Sequence, residues 1–199
     1  MSTPRVGVLA LQGAFAAHSK QLARLGADVR DVRVPGDLAG LDGLIIPGGE
    51  STTMSMLLDS SGLHGPLVSA VEHGLAIFGT CAGLILCARD IVDGRHDQHA
   101  LGFVDVTVRR NGYGRQLDSF EAGLDGVTGG PFHAVFIRAP RITRVGRSVQ
   151  VLAHHGDDPV LIRDGRHLMA SFHPELTQDV RIHELFIDGL ATGPESDGG

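Results

Sequence analysis

The chain has 199 residues, 42% of them hydrophobic, and a chain of this length can bury about 70% of its unfolded surface without disulfides or metal. Its net charge of −6 argues against nucleic-acid binding, and no apolar run reaches the roughly 18 residues that a membrane span requires. The two cysteines, Cys81 and Cys87, form neither a disulfide framework nor a zinc-binding pattern, and the N-terminal residues lack the pattern of a secretory signal. We therefore expect a cytoplasmic protein.

Strand-like and helix-like segments alternate through the first half of the chain. They are a strand at residues 5–11, a helix at 15–26, strands at 28–34 and 42–49, helices at 51–62 and 66–74, and a strand at 75–80. In the first helix Phe15, Leu22 and Leu25 share one face, and the second helix begins with a capping serine or threonine. This order predicts an α/β fold: a mostly parallel, flavodoxin-like central sheet with helices on both faces.

Strand patterns dominate after about residue 102. They lie at residues 103–110, 133–140, 148–154, 159–165 and 167–173. We interpret them as the remaining strands of the sheet together with added antiparallel strands. A last helix is predicted at residues 177–190, where an apolar stripe is formed by Ile182, Leu185, Phe186 and Leu190. One domain over residues 1–190 and a polar, disordered tail at 191–199 are expected.

The sequence GTCAG at residues 79–83 has the form of a nucleophile elbow, with cysteine as the central residue. Such an elbow places the sulfur of Cys81 at the carboxyl edge of the sheet and at a helix N-terminus, which favours the thiolate. Free cysteines are also common in protein cores, so the pentapeptide alone leaves open whether Cys81 is a nucleophile or a core residue. Cys87, within the following helical segment and without a turn around it, is interpreted as core.

The sequence SFHPE at residues 171–175 offers a base for the cysteine. Pro174 disfavours helix at His173, and in an extended segment His173 and Glu175 project to the same side. Glu175 can then orient the imidazole, which leaves Nε2 free to face a sulfur. The alternative is a solvated turn at the end of a strand.

The other histidines are interpreted as structural. His18, His64, His73 and His183 lie in helical patterns and are expected at the surface or only partly packed. His154 and His155 are interpreted as a solvated turn, because no third ligand at suitable spacing suggests a metal site.

An oxyanion site requires backbone donors near the cysteine. The candidates are the N–H of Ala82 and one from the turn PGGES at residues 47–51, whose two glycines allow close approach to a substrate. An ordinary strand-to-helix turn has the same pattern, so PGG alone is weak evidence for an oxyanion site.

Three blocks in this order, PGGES, GTCAGL and SFHPEL, resemble the class I, triad-type glutamine amidotransferases, and more narrowly the glutaminase subunits of pyridoxal 5′-phosphate synthase. Further similar blocks are GVLALQGAFAAH, GGESTTM, RNGYGRQLDSFE, FIRAP and SFHPELTQDVRIHELF. Together they span nearly the whole chain outside the tail. The departures are Gly112 and Tyr113, where serine and phenylalanine are expected, and the loop at residues 93–100.

The resemblance implies a role for each matching residue. Cys81 is the nucleophile, His173 the base and Glu175 its orienter; the residues implied to bind glutamine are Gly49, Glu50, Ser51, Arg110, Ile137 and Arg138. Backbone N–H groups near Gly49 and Ala82 hold the oxyanion. The residue matching Gln12 lies beside the oxyanion loop and helps couple it to the partner. Neither metal nor organic cofactor is required.

The resemblance also implies a reaction and a partner. L-glutamine is hydrolysed to L-glutamate and ammonia, and the ammonia passes through a tunnel to a synthase subunit that makes pyridoxal 5′-phosphate in a hetero-oligomeric complex. The glutaminase is expected to be poorly active alone.

Two other kinds of function remain open from the sequence, one enzymatic and one not. The triad also suits a glutaminase that serves another synthase, or a γ-glutamyl hydrolase, although RNGYGRQ and GGESTTM argue against both. A non-catalytic docking subunit is the third hypothesis, and the intact Cys81, His173 and Glu175 argue against it.

Overall fold

The structure, a computed structural model, describes residues 3–94, 100–112 and 119–191. The strands are β1 (Arg5–Leu9), β2 (Asp28–Val32), β3 (Gly43–Ile46), β4 (Ala76–Thr80), β5 (Ala88–Ile91), β6 (Val104–Arg109), β7 (Ser119–Leu124), β8 (Phe132–Ile137), β9 (Arg141–Val145), β10 (Gln150–His155), β11 (Asp158–Asp164) and β12 (His167–Ala170). The helices are α1 (Phe15–Arg24), α2 (Ser51–Ser60), α3 (His64–Glu72), α4 (Ala82–Cys87) and α5 (Arg181–Ala191). Short 3-10 turns cover Pro35–Leu38 and Pro174–Leu176.

The central sheet has seven strands in the order β10-β11-β12-β4-β3-β1-β2. The neighbours from β12 to β2 pair in parallel, and β10, β11 and β12 pair antiparallel. β3 and β4 lie inside the sheet and are buried along their whole length. A strand that is covered on both faces needs a continuous apolar run, which is how residues 43–46 and 76–80 read in the sequence. The predicted fold class is confirmed.

Each face of the sheet has its own apolar core. On one face α2, α3 and α4 contribute Met54, Leu67 and Leu86 to a buried cluster. On the other face α1 contributes Leu22, and α5 contributes Ile182 and Phe186. The helices therefore cover both faces, as the alternating pattern predicted.

Two smaller sheets extend the second half of the chain. One has the order β5-β6-β9, and the other is the antiparallel hairpin β7-β8. The hairpin packs on the central sheet through aromatic rings: Phe132 and Phe136 each lie with their ring centroids 5.7 Å from that of Phe172. Phe172 lies two residues beyond the end of β12, so this contact brings the hairpin to the carboxyl edge of the central sheet.

Several local predictions differ from the structure. α2 is capped by the carboxylate of Glu50 rather than by a serine or threonine, because this side chain accepts hydrogen bonds from the N–H groups of Thr52 and Thr53. α5 starts four residues later than predicted, at Arg181. His154 and His155 belong to β10 and not to a turn, and the His155 ring packs 5.1 Å from that of Phe120.

Some predictions fall outside the described residues. These are Tyr113 with the rest of its block up to residue 118, most of the loop at 93–100, and the tail from residue 192. Within the described part, none of the helices is both long and apolar enough to cross a membrane.

Candidate active site

Cys81 lies between β4 and α4 in a backbone conformation that is rare for a residue with a side chain. Its φ is +50°, and its N–H donates to the carbonyl of Ala170 at 2.9 Å, at the end of the neighbouring strand β12. A β-carbon at Gly83 would collide with the carbonyl oxygen of Ile46, and one at Gly79 would lie 2.7 Å from the sulfur of Met169. The elbow glycines are therefore required because neighbouring strands approach the turn closely. The predicted elbow geometry is what the structure shows.

His173 contacts both other members of the predicted triad. Its side chain and that of Cys81 lie together against Gly48, and its Nδ1 lies 2.7 Å from Oε1 of Glu175. The His173 N–H donates to the carbonyl of Val135 at 2.8 Å, which ties this segment to the β7-β8 hairpin. The exposed fractions of His173 and Glu175 are only 8% and 5%, so the pair is shielded from bulk water.

The electrostatic setting favours a charged imidazole beside the sulfur. Burial lowers the pKa of His173, but the hydrogen bonds and negative charges of Cys81 and Glu175 outweigh it and hold that pKa well above its ordinary value. Burial likewise raises the pKa of Glu175, and the contacts with His173 and His18 outweigh it, so the net pKa is lowered. An ionised carboxylate and a protonated imidazole therefore stabilise each other.

The backbone route to this contact differs from the prediction. The chain is not extended beyond His173, because Pro174–Leu176 forms a 3-10 turn. Glu175 reaches His173 because the turn folds its side chain back, not because alternate residues of a strand share a side. The predicted contact is present, but the local conformation that was expected to produce it is wrong.

The turn after β3 lies against the cysteine and histidine. A β-carbon on Gly48 would lie 2.5 Å from Cε1 of His173 and 3.4 Å from Cβ of Cys81. The carbonyl of Gly48 accepts a hydrogen bond from the N–H of Ala14 at 3.3 Å, and the N–H of Glu50 donates to Oε1 of Gln12 at 3.1 Å. Gln12 therefore contacts this turn directly, and its predicted role beside an oxyanion loop stays a prediction. The importance of Gly48 itself was missed, although PGG was the signal for it.

The predicted glutamine-binding residues divide into two groups. Glu50 caps α2 and pairs with Arg110, whose Nη2 lies 2.8 Å from its Oε1. Burial raises the pKa of Glu50, but hydrogen bonds from Thr53 and Thr52 lower it to about 2. Ser51 is buried at the first residue of the same helix.

The second group lies at the end of β8. The carbonyl of Ile137 is 3.9 Å from the sulfur of Cys81, and the residue is 38% exposed. Arg138 has a φ of +42°. The structure thus brings Ile137 to the cysteine and Arg110 to Glu50.

Two histidines that were expected near the surface are fully buried behind the triad. His18 Nε2 lies 3.4 Å from Oε2 of Glu175 and 3.2 Å from Oγ1 of Thr80. His18 Nδ1 lies 2.9 Å from Nε2 of His183. The surface expectation was wrong because each histidine shares its helical face with core residues, Leu22 in α1 and Phe186 in α5. That spacing was the signal in the sequence.

Over residues 3–94, 100–112 and 119–191, no group of three or more histidine, cysteine or acidic side chains has the arrangement of a metal site. Both cysteines are free thiols. The chemistry that these side chains offer is a cysteine nucleophile, an imidazole that can carry its proton, and a buried carboxylate that orients the imidazole.

Comparison with known proteins adds to this geometry. Residues 8–192 match the SNO glutamine amidotransferase family. The chain is 54% identical to a protein of Parafrankia sp. named pyridoxal 5′-phosphate synthase subunit PdxT, covering 94% of each chain. It is 55% identical to the protein of the same name from Deinococcus radiodurans, covering 94% of this chain and 96% of the other.

Solved structures give the same picture. A crystal structure of a glutamine amidotransferase superimposes with a TM-score of 0.89 at 48% identity, covering 94% of this chain and 99% of the other. The structure of PurLQS from Thermotoga maritima shares the fold, with a TM-score of 0.69 at 14% identity over 95% of this chain and all of the matched one.

Proposed function

This chain belongs to the SNO glutamine amidotransferase family, and we propose that it hydrolyses L-glutamine to L-glutamate and ammonia through a thioester on Cys81. The observation that carries the proposal is the position of His173, which lies with Cys81 against Gly48 and has its Nδ1 2.7 Å from Oε1 of Glu175. The nucleophile comes from one segment of the sequence, and the base and its orienter come from another, about 90 residues later.

Hydrolysis begins with attack on the carboxamide. His173 takes the proton of Cys81, and the sulfur adds to the carbonyl carbon of the glutamine side chain to give a tetrahedral oxyanion. Glu175 holds the imidazole through Nδ1 and stabilises its positive charge, so that Nε2 serves the sulfur. Collapse of the intermediate breaks the C–N bond, and His173 gives its proton to the departing ammonia.

The oxyanion is assigned to backbone donors of the two turns beside the sulfur. Ala82 contributes its N–H at the start of α4, and Gly49 contributes its own from the turn that follows β3. The hydrogen bond from Ala14 to the Gly48 carbonyl supports this, since carbonyl and following N–H of one peptide unit point in opposite directions. Loss of one such donor typically reduces kcat by about 10²- to 10³-fold.

The thioester is released by water. His173, neutral again after ammonia leaves, takes a proton from water, and the hydroxide adds to the thioester carbonyl. The second tetrahedral intermediate expels the sulfur and releases glutamate. Every proton moves through one imidazole, so no metal and no organic cofactor enter the cycle.

The α-carboxylate and α-amino group of glutamine need charged partners at the open side of the site. Arg110, Arg138 and Glu50 supply these charges, and the backbone of Gly49, Ser51 and Ile137 completes the pocket. Glu50 holds the Arg110 guanidinium at 2.8 Å and so keeps it in one orientation.

Ammonia is useful only beside an acceptor, because in bulk water it is protonated and diluted. The relatives named above are subunits of pyridoxal 5′-phosphate synthase, and this chain delivers its ammonia to such a synthase in a hetero-oligomer. Full activity requires docking. The turn that holds the oxyanion is positioned by contacts such as the hydrogen bond from the N–H of Glu50 to Gln12, and a partner that moves Gln12 also moves this turn. The cytoplasm suits a protein whose two cysteines are both free thiols.

The test uses the complex with the synthase subunit. Glutamine-dependent formation of pyridoxal 5′-phosphate is expected for the natural chain and should disappear with Cys81→Ala, while added ammonium salt supports synthesis with either. The chain alone should release glutamate slowly. Undiminished glutamate release by Cys81→Ala would overturn the proposed nucleophile, and equal rates with and without the synthase would overturn the role of docking.

A further inference from the structure

A chain of buried polar groups leads from the triad into the core between α1 and α5. It runs from Glu175 Oε2 to His18 and on to His183, with contacts of 3.4 and 2.9 Å. Both histidines are completely buried, and the hydrolysis described above uses neither. Buried polar groups destabilise a core unless each one is paired, so their protons must be arranged to satisfy their neighbours.

Only one of the two proton arrangements suits the carboxylate. With the proton on Nε2, His18 donates toward Glu175 and Thr80, and its Nδ1 accepts from the Nε2–H of His183. Nδ1 of His183 is then a bare acceptor, and it has no hydrogen-bond partner in the described part of the chain. In the opposite arrangement a lone pair of His18 would face the carboxylate, and His183 would bury a donor without a partner.

The surroundings keep both imidazoles neutral. Burial lowers the pKa of His18 to about 4, although Glu175 acts to raise it, and burial together with His18 lowers the pKa of His183. The groups that face His18 are His183 from α5, Glu175 and His173 from the segment after β12, and Thr80 and Phe78 from β4. A neutral donor is therefore what lies against Oε2 of Glu175.

We propose that His18, with its proton held on Nε2 by His183, is a positioning residue that fixes the second oxygen of Glu175 and thereby the orientation of His173. Oε2 of Glu175 has no well-aligned hydrogen bond in the described part of the chain, and the Nε2–H of His18, 3.4 Å away, is a donor that faces it; without this contact the carboxylate is free to rotate. The inference rests on the proposed glutaminase function, because its effect is on the same triad. It extends the orienting chain by two residues that the triad motif does not contain.

Three variants test the proposal in the complex with the synthase subunit. His18→Leu removes the donor, and His18→Gln keeps an N–H donor of similar reach. His167→Leu is the matched control, because His167 is a half-buried histidine whose ring stacks on Phe103, away from the triad. The kcat and KM for glutamine hydrolysis and the pH profile of kcat/KM are measured for each.

We expect His18→Leu to lower kcat about 10- to 100-fold with KM nearly unchanged, the size usual for a partner one step removed from the reacting groups. The basic limb of its pH profile should move to lower pH, because a rotated carboxylate stabilises protonated His173 less. His18→Gln should recover most of the kcat, and His167→Leu should keep it. An unchanged kcat in folded His18→Leu, or an equal loss in His18→Gln, would overturn the positioning role.

A second measurement does not depend on activity or on a variant that folds poorly. ¹⁵N NMR of the full chain labelled at histidine reports which ring nitrogen of His18 carries the proton, with the signal assigned by its loss in His18→Gln. A proton on Nε2 at pH 7 is expected, and a proton on Nδ1 would overturn the inference. If Cys81→Ala keeps its activity, the proposed function fails whatever His18 does; if only His18→Leu keeps it, the inference alone fails.

Discussion

The two cysteines of this chain occupy opposite ends of α4 and meet opposite environments. Cys81 precedes the helix with a φ of +50°, lies with His173 against Gly48, and acts to raise the pKa of that histidine. Cys87 ends the helix inside the apolar cluster formed with α2 and α3, and burial raises the pKa of its thiol. Neither is more than 6% exposed, so exposure does not separate them.

The difference lies in what surrounds each sulfur. At Cys81 a strained turn, an imidazole and a carboxylate share one small volume, so a proton can leave the sulfur and be held nearby. Cys87 lies in a cluster of buried apolar side chains, and burial is what raises the pKa of its thiol. Local backbone and neighbouring charges, more than burial, decide which thiol reacts.

The largest effect on kcat is expected when each cysteine is replaced by alanine in turn. Cys81→Ala should lower kcat for glutamine hydrolysis by about 10⁴-fold or more, as expected when a nucleophile is removed. Cys87→Ala should leave kcat unchanged and lower the free energy of unfolding by roughly 1–2 kcal/mol, the effect of a small core cavity. Steady-state kinetics and urea unfolding measure both. A large loss of kcat in Cys87→Ala would remove the contrast between the two sites.

The next largest effect is expected from replacing the Glu175 carboxylate, which orients His173. Glu175→Gln should lower kcat by about 10³- to 10⁴-fold, because an amide at this position favours the wrong imidazole tautomer and does not stabilise the imidazolium. KM for glutamine should change little, since Glu175 is buried behind His173. Activity within tenfold of the natural chain would show that the carboxylate does not orient His173.

A smaller effect on kcat is expected from adding a side chain at Gly48, in the turn after β3. Gly48→Ala would place a β-carbon 2.5 Å from Cε1 of His173, and the shift that relieves this contact should lower kcat about 10²-fold. Gly65→Ala in α3 is the matched control: open space surrounds that position, so kcat should stay the same and stability should rise by up to about 1 kcal/mol. Equal kinetics for both variants would contradict the close packing of Gly48 on the triad.

The last prediction concerns stability and pH. Because burial holds the pKa of His18 at about 4, the unfolded chain binds the extra proton below pH 6.5, and stability should fall as the pH drops from 6.5 toward 4. Glu175, whose pKa is lowered, adds stability that is lost as the pH falls through its folded-state pKa. His173, whose pKa is raised, adds stability below pH 6.5 that is lost only as the pH rises through its folded-state pKa.

His18→Leu should therefore flatten the acid limb, by up to about 1.4 kcal/mol per pH unit. Urea unfolding at a series of pH values measures this slope. The matched comparison is Cys87→Ala, whose slope should equal that of the natural chain, because the thiol stays protonated throughout this range. An unchanged slope in His18→Leu would show that His18 is not buried in its neutral form.

The sequence predicted the fold because its signals are local. Apolar runs at residues 43–46 and 76–80 can only be buried strands when helices alternate with them, and the structure has both strands inside the sheet. Helix ends were less predictable, because the Glu50 cap depends on a side chain that folds back on the next turn. α5 begins late for a similar reason: residues 177–180, which were predicted as helical, lie between the 3-10 turn and the helix, and the Asp179 carboxylate accepts a hydrogen bond from the N–H of Arg181.

The residues of the site also divide into those that a local sequence pattern predicts and those that it does not. GTCAG and HPE carry their geometry within a few residues, so Cys81 and the contact between His173 and Glu175 were predictable. His18 and His183 were misassigned because polarity was weighed above their position on apolar faces. Their contact joins residues 165 positions apart, and no local pattern contains it.

The glycines on either side of Cys81 also constrain how the sequence of this protein can change. At Gly83 the obstacle is the carbonyl oxygen of Ile46, a main-chain atom that cannot change rotamer, and at Gly79 it includes the main chain of Gly83 itself. A larger residue at either position would have to be accommodated by moving a whole central strand, and a second substitution elsewhere cannot easily restore the space. Substitution is therefore strongly disfavoured at these two positions, whereas Gly36 and Gly65 have open space around them and no positive φ, so larger residues fit there.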